Sequence, residues 1–181
     1  MIYLLLGLAL WWGAHLFKRV APEARAKLGN PGKGIIAVLL VIGIWLMSKG
    51  YGLMDGPYFW GRNAALVGIN NLLMLFSIYL FAAAGARTAL ARRMRHPMLT
   101  AVKVWAFAHI LVNGDLPSFI LFGGLLGWAV VEVIVINKAE PDWTPPEPAG
   151  REKEIKAIVI TLVIYALIAA VHYWLGYPVF G

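Results

Sequence analysis

The sequence contains no cysteine. This absence excludes disulfide bonds, thiolate metal sites, iron–sulfur clusters and the thioether attachment of c-type haem. Charge is also scarce, because Asp, Glu, Lys and Arg together make up only 14% of the chain. A soluble domain of 181 residues with 61% hydrophobic residues could not bury so much apolar surface. The low charge and the high apolar content indicate an integral membrane protein.

Long apolar runs, separated by short clusters of charge, give a mean hydropathy of +0.74. We predict an all-α fold: a polytopic integral membrane helical bundle with six transmembrane helices. The predicted spans are residues 2–17, 34–48, 63–85, 98–112, 117–136 and 157–175. Several are shorter than the roughly 20 residues that a perpendicular helix needs, so we expect tilt or local thinning of the bilayer. "NGDLP" predicts a tight turn between the fourth and fifth spans, which would then form a helical hairpin.

Basic residues are distributed unequally between the two sides of these spans. Thirteen of the 16 Lys and Arg residues follow the first, third and fifth spans. The positive-inside rule therefore predicts a multi-pass membrane protein with both termini facing outward from the cytoplasm, which in a bacterium is the periplasmic side of the inner membrane. Because this excess of positive charge sets orientation, we expect membrane lipid as a partner and no nucleic acid.

One proline-rich loop, at about residues 137–154, is predicted to lie in the cytoplasm. It contains "EPDWTPPEPAG", which favours local polyproline structure over a packed core. We predict a single transmembrane domain over residues 1–181, with this loop as a connector and no internal repeat.

All four histidines, His15, His96, His109 and His172, lie in spans or at their ends. Histidine is costly in lipid and is the commonest nitrogen ligand for metals. His96 and His109 are about 20 Å apart along one helix, so any shared site must combine histidines from different spans. Each can alternatively be a packed side chain that bonds to a backbone carbonyl or to a neighbouring helix.

Large aromatic residues accompany two of these histidines at helical spacing. Trp11 lies one turn before His15, and Trp105 lies one turn before His109. Small residues surround both pairs, a pattern that resembles the walls of a flat cofactor slot in a helix bundle. Without thiols, two neutral imidazoles could hold an iron porphyrin. Tryptophan stripes are also typical of lipid-facing or interfacial belts.

Three stretches, "GAHL", "RHPML" and "WAFAHILVNGDLPSFILFG", resemble the NnrU family over residues 1–137. These bacterial membrane proteins are associated with denitrification and nitric-oxide metabolism. The family is similar to 15-cis-zeta-carotene isomerase, a haem b membrane enzyme. The resemblance implies a non-covalent haem b with His15 and His109 as its axial metal ligands, and a small apolar or gaseous ligand such as a polyene or nitric oxide. It places His96 within a matching motif without a ligand role.

The expected depth of the histidines in the membrane allows a second pair of axial ligands. His15 lies near the cytoplasmic edge, whereas His109 and His172 both lie toward the outside, so His172 is the alternative partner of His109. Arg19 and Arg95, near the cytoplasmic ends of their spans, are the candidate partners of the haem propionates.

Two other functions remain open. The "RHP" motif also resembles integral membrane methyltransferases of the isoprenylcysteine type, in which it binds S-adenosylmethionine, although the Glu-rich stretch of that family is missing here. A non-enzymatic assembly factor for a respiratory complex is the third alternative.

Overall fold

The computed structural model describes residues 1–147 and 149–180, and its fold is helical. The elements in chain order are α1 (Ile2–Val20), α2 (Pro22–Lys27), α3 (Pro31–Gly52), β1 (Tyr58–Trp60), α4 (Ala64–Ala86), α5 (Ala89–Arg93), α6 (Pro97–Val112), β2 (Gly114–Asp115), α7 (Leu116–Ala139) and α8 (Arg151–Trp174). Each predicted span falls on one helix, and most helices extend beyond the predicted bounds. The short helices α2 and α5 and the small β1–β2 sheet were not predicted.

Among the described residues, four helices have the length and hydropathy to cross a membrane: α3, α4, α7 and α8. The chain is therefore a multi-pass membrane protein. Helix α6 is apolar but has only 16 residues, and α1 ends with Lys18 and Arg19 in its last turn. The count of six spans and the placement of the termini stay predictions.

The chain divides into two compact units, each built around three long helices. Unit 1 consists of Met1–Phe59 and Gly114–Pro141, and unit 2 consists of Trp60–Asn113 and Asp142–Gly181. Unit 1 therefore contains α1, α3 and α7, whereas unit 2 contains α4, α6 and α8. Asp115 is the N-cap of α7, and its side chain accepts a hydrogen bond of 2.8 Å from Ser118 N. The hairpin of α6 and α7 stays a prediction, because the two helices belong to different units.

In unit 1, α1 packs closely against α3 because glycines remove side chains from the contact. A Cβ at Gly7 would lie 2.7 Å from Met47 N, and one at Gly50 would clash with the backbone of Leu4. Small residues commonly allow such close approach between membrane helices. Pairing of the start of α1 with the end of α3 makes these two helices antiparallel.

Helix α7 runs parallel to α1 on another side of it. Trp12 Nε1 donates to Gly124 O at 3.1 Å, and Arg19 bonds to Glu140 at 2.7 Å nearer the ends of both helices. The hydrogen bond from Trp12 and the packing of Leu8 against Gly124 tie α1 and α7 together.

In unit 2, α4 packs against both α6 and α8. Ser77 donates to Ala101 O at 2.8 Å, and Trp60 Nε1 donates to Leu111 O at 3.1 Å, so α6 is antiparallel to α4. Tyr79 donates to Glu154 at 3.0 Å near the start of α8, and Asn71 donates to Val179 O at 3.0 Å beyond its end. Helix α8 is therefore antiparallel to α4 as well.

The proline-rich loop has no regular secondary structure from Glu140 to Gly150 in the part that the structure describes. Arg92 Nε donates to Pro146 O at 2.7 Å, which attaches the loop to α5 within unit 2.

Candidate functional site

His15 lies on α1 of unit 1, half-buried among indole rings. Its Nδ1–H donates to Trp11 O at 3.0 Å, one turn earlier on the same helix. The imidazole centroid lies 4.4 Å from the Trp11 ring and 4.5 Å from the ring of Trp128 on α7. The predicted pairing of Trp11 with His15 is confirmed, and a second tryptophan, which was not predicted, contacts the same imidazole.

His109 lies on α6 of unit 2 in a similar local arrangement. Its Nδ1–H donates to Trp105 O at 2.9 Å, and the two rings lie 5.0 Å apart at 51°. Asn113, one turn later, donates to His109 O at 2.9 Å and closes the end of the helix. The predicted face with Trp105, His109 and Asn113 in register is confirmed.

His15 and His109 therefore have similar local surroundings, each within its own unit. In each, a tryptophan one turn earlier supplies both the carbonyl that accepts the Nδ1 proton and an aromatic ring beside the imidazole. A neutral imidazole with its proton on Nδ1 carries its lone pair on Nε2. Histidines that ligate metals commonly donate their other ring nitrogen to a carbonyl in this way, which fixes the tautomer and the ring orientation.

His172 lies on α8, in the same unit as His109. Its Nδ1–H donates to Ile168 O at 2.8 Å, so it has the same tautomer without a tryptophan one turn earlier. Unit 2 therefore contains both histidines that depth alone would pair, His109 and His172.

His96 and the two predicted arginines have different surroundings. His96 occupies the N-cap position of α6, immediately before Pro97, and its side chain makes no capping hydrogen bond there. Arg19 forms an ion pair of 2.7 Å with Glu140 on α7. Arg95 lies in the short connection between α5 and α6.

Sequence reasoning missed Trp128 and Glu132 on α7. Both are buried, with exposed fractions of 4% and 9%. The signal for Glu132 is present in the sequence, because it is an acidic residue in the apolar run "GWAVVEVIVI". No local pattern points to Trp128, since its contacts are with residues of α1.

Among the described residues, no group of three or more His, Asp or Glu side chains could hold a metal ion. A haem iron needs only one or two protein ligands, because the porphyrin supplies four nitrogens. The residues fit haem in their donor chemistry: three imidazoles, on α1, α6 and α8, are held with Nδ1 protonated and Nε2 as the basic nitrogen.

Comparison with known proteins gives one match. The family model described as "NnrU protein" matches residues 3–179, including the proline-rich loop and α8. Among curated proteins and among solved structures, no match was found.

Proposed function

The chain belongs to the NnrU family, and on that premise we propose that it binds one non-covalent haem b through His15 and His109. The observation that carries this proposal is that the two imidazoles have similar local surroundings. Each donates Nδ1–H to the carbonyl of a tryptophan one turn earlier, at 3.0 Å and 2.9 Å, and lies beside the ring of that tryptophan. This bond predetermines Nε2 as the ligand atom and limits rotation of the ring.

The chain's own residues orient the ligands. Trp11 and Trp128 lie against the His15 imidazole, and Trp105 lies against that of His109. Apolar surroundings of this kind also control solvent access to a metal site. When bound, haem b supplies a redox-active iron that binds small ligands such as nitric oxide and can act on a polyene.

His172 is the second candidate partner of His109. One observation favours it: His172 and His109 belong to the same unit. Its Nδ1–H bond to Ile168 O gives it the same basic Nε2. Replacement of each histidine in turn distinguishes the two pairs.

We also propose that the chain crosses a bacterial inner membrane six times, with both termini outside the cytoplasm. The helix directions support six crossings, because α1 and α7 are parallel whereas α6 and α8 are antiparallel to α4. Helices that cross in alternating directions in chain order would have these orientations.

A function in nitric-oxide or denitrification metabolism is supported by family membership.

The test is the haem content of protein purified in detergent from cells supplied with a haem precursor. We expect a Soret band, split visible bands on reduction, and about one haem per chain that acid–acetone extracts, because no cysteine can form thioether links. The control is the double variant His15→Ala/His109→Ala, which should purify in equal yield with little haem. A colourless wild-type protein would contradict the proposal.

A further inference from the structure

Buried polar atoms without partners are concentrated where α1 meets α7 in unit 1. Among the described residues, five buried side-chain nitrogen or oxygen atoms have no hydrogen-bond partner. Three of the five are Trp11 Nε1, Trp128 Nε1 and Glu132 Oε2. Two are therefore N–H donors and one is a carboxylate acceptor.

Trp128 is a neighbour of each of the other two side chains. The rings of Trp11 and Trp128 meet edge-on, with centroids 5.3 Å apart at 79°. Glu132 follows Trp128 by one helical turn on α7, which puts the two Cβ atoms roughly 5–6 Å apart on the same face. Trp128 is 4% exposed and Glu132 is 9% exposed, so protein covers both side chains.

Nearby polar groups of the same helices do have partners. Trp12 Nε1, next to Trp11 in the chain, donates to Gly124 O at 3.1 Å. Glu140, two turns beyond Glu132, bonds to Arg19 at 2.7 Å. Among the buried side-chain atoms that the structure describes on α1 and α7, those without a hydrogen-bond partner are Trp11 Nε1, Trp128 Nε1 and Glu132 Oε2.

Leaving such groups unpaired is costly. Each buried donor or acceptor without a partner costs about 1–3 kcal/mol, and more when it is charged. An acidic side chain within a membrane span is by default a sign of function, with a partner that must be identified. One ligand that supplies two acceptor positions and one donor would satisfy all three atoms.

We propose that Trp11, Trp128 and Glu132 form a binding site for a hydroxyl group. The oxygen of one hydroxyl can accept from both indole N–H groups, while its hydrogen is donated to the Glu132 carboxylate. The hydroxyl belongs either to a water molecule or to an alcohol or phenol dissolved in the bilayer. This site goes beyond the haem proposal, because it uses the indole N–H groups and a carboxylate rather than the imidazoles.

The first test is a double-mutant cycle between the two helices, measured as melting temperature of the full-length protein in detergent. Trp11→Phe removes one N–H and keeps an aromatic ring, and Glu132→Leu removes the acceptor at similar volume. If one hydroxyl binds both side chains, the double variant should lower the melting temperature by several degrees less than the sum of the two single variants. The reason is that either change alone already disrupts binding of the hydroxyl. Trp12→Phe with Glu132→Leu is the matched control and should be additive. Additivity in the Trp11 cycle as well would overturn the proposal.

The second test detects the hydroxyl directly and does not depend on stability. Infrared difference spectra between wild type and Glu132→Leu should contain a hydrogen-bonded O–H stretch that is lost in the variant. A shift of this band after exchange into ¹⁸O water identifies water, whereas a band that is insensitive to ¹⁸O and lost on delipidation identifies an organic hydroxyl. Indole N–H bands that indicate free N–H groups at Trp11 and Trp128 in the wild type would contradict the site.

Discussion

At the scale of single residues, the local geometry of the histidines follows from the sequence, whereas their long-range contacts do not. Trp11 with His15 and Trp105 with His109 could be predicted, because residues four apart on a helix must be neighbours. The contact of His15 with Trp128 could not, since it depends on how α7 packs against α1. The same limit applies to Glu132, whose sequence position indicates function but identifies no neighbour.

Asp115 provides a residue-scale prediction about the turn between α6 and α7. Its side chain accepts from Ser118 N at 2.8 Å, so Asp115→Ala should leave that N–H without its cap and cost about 1 kcal/mol. Denaturant unfolding of the detergent-solubilised protein, followed by circular dichroism, measures the difference. Asp142→Ala, in the exposed proline-rich loop, is the control and should change stability little. Equal effects of the two substitutions would contradict the capping role.

At the scale of helices, periodicity and hydropathy located all six long helices, and the structure adds which helices pack together within each unit. The tight turn at residues 113–117 favoured a hairpin of α6 and α7, because short connections usually join antiparallel neighbours. The structure assigns α6 to unit 2 and α7 to unit 1, so this hairpin stays a prediction. The choice of partner depends on surface shape, such as the glycines of α1 and α3, and a hydropathy profile does not contain this information.

The two glycines of α1 give a matched pair of variants that tests this packing. Gly7→Ala would place a methyl group 2.7 Å from Met47 N, and should cost about 1–3 kcal/mol by forcing α1 and α3 apart. Gly13→Ala meets nothing within 4 Å, so its higher helix propensity should stabilise the protein by up to about 1 kcal/mol. Thermal unfolding in detergent should therefore move in opposite directions for the two variants. A stability gain with Gly7→Ala would contradict the close α1–α3 contact.

At the scale of the whole molecule, composition alone indicated a helical membrane protein, and the four candidate spans agree with it. The division into two three-helix units could not be predicted, because each unit combines segments that are distant in the chain. Unit 1, for example, joins the N-terminal 59 residues to α7. Orientation depends on charge, and thirteen of the 16 Lys and Arg residues lie on the side that the positive-inside rule assigns to the cytoplasm.

Reporter fusions test the proposed orientation. With both termini outside the cytoplasm, alkaline phosphatase fused after Gly181 should be active and green fluorescent protein at the same place should be dark. Fusions within the proline-rich loop, at residue 142, should give the opposite result and act as the internal control. Fluorescence of the C-terminal green fluorescent protein fusion, together with an inactive C-terminal phosphatase fusion, would show that the number of crossings is odd or that the orientation is inverted.

The absorption and electron paramagnetic resonance spectra of single histidine variants test the haem assignment most directly. Wild-type protein should be low-spin, and both His15→Ala and His109→Ala should shift the iron toward high spin and lower haem occupancy, because each removes one axial bond. His96→Ala and His172→Ala should keep the low-spin spectrum. Loss of low-spin character in His172→Ala, with His15→Ala unchanged, would contradict the assignment and identify His109 and His172, the two histidines of unit 2, as the axial pair.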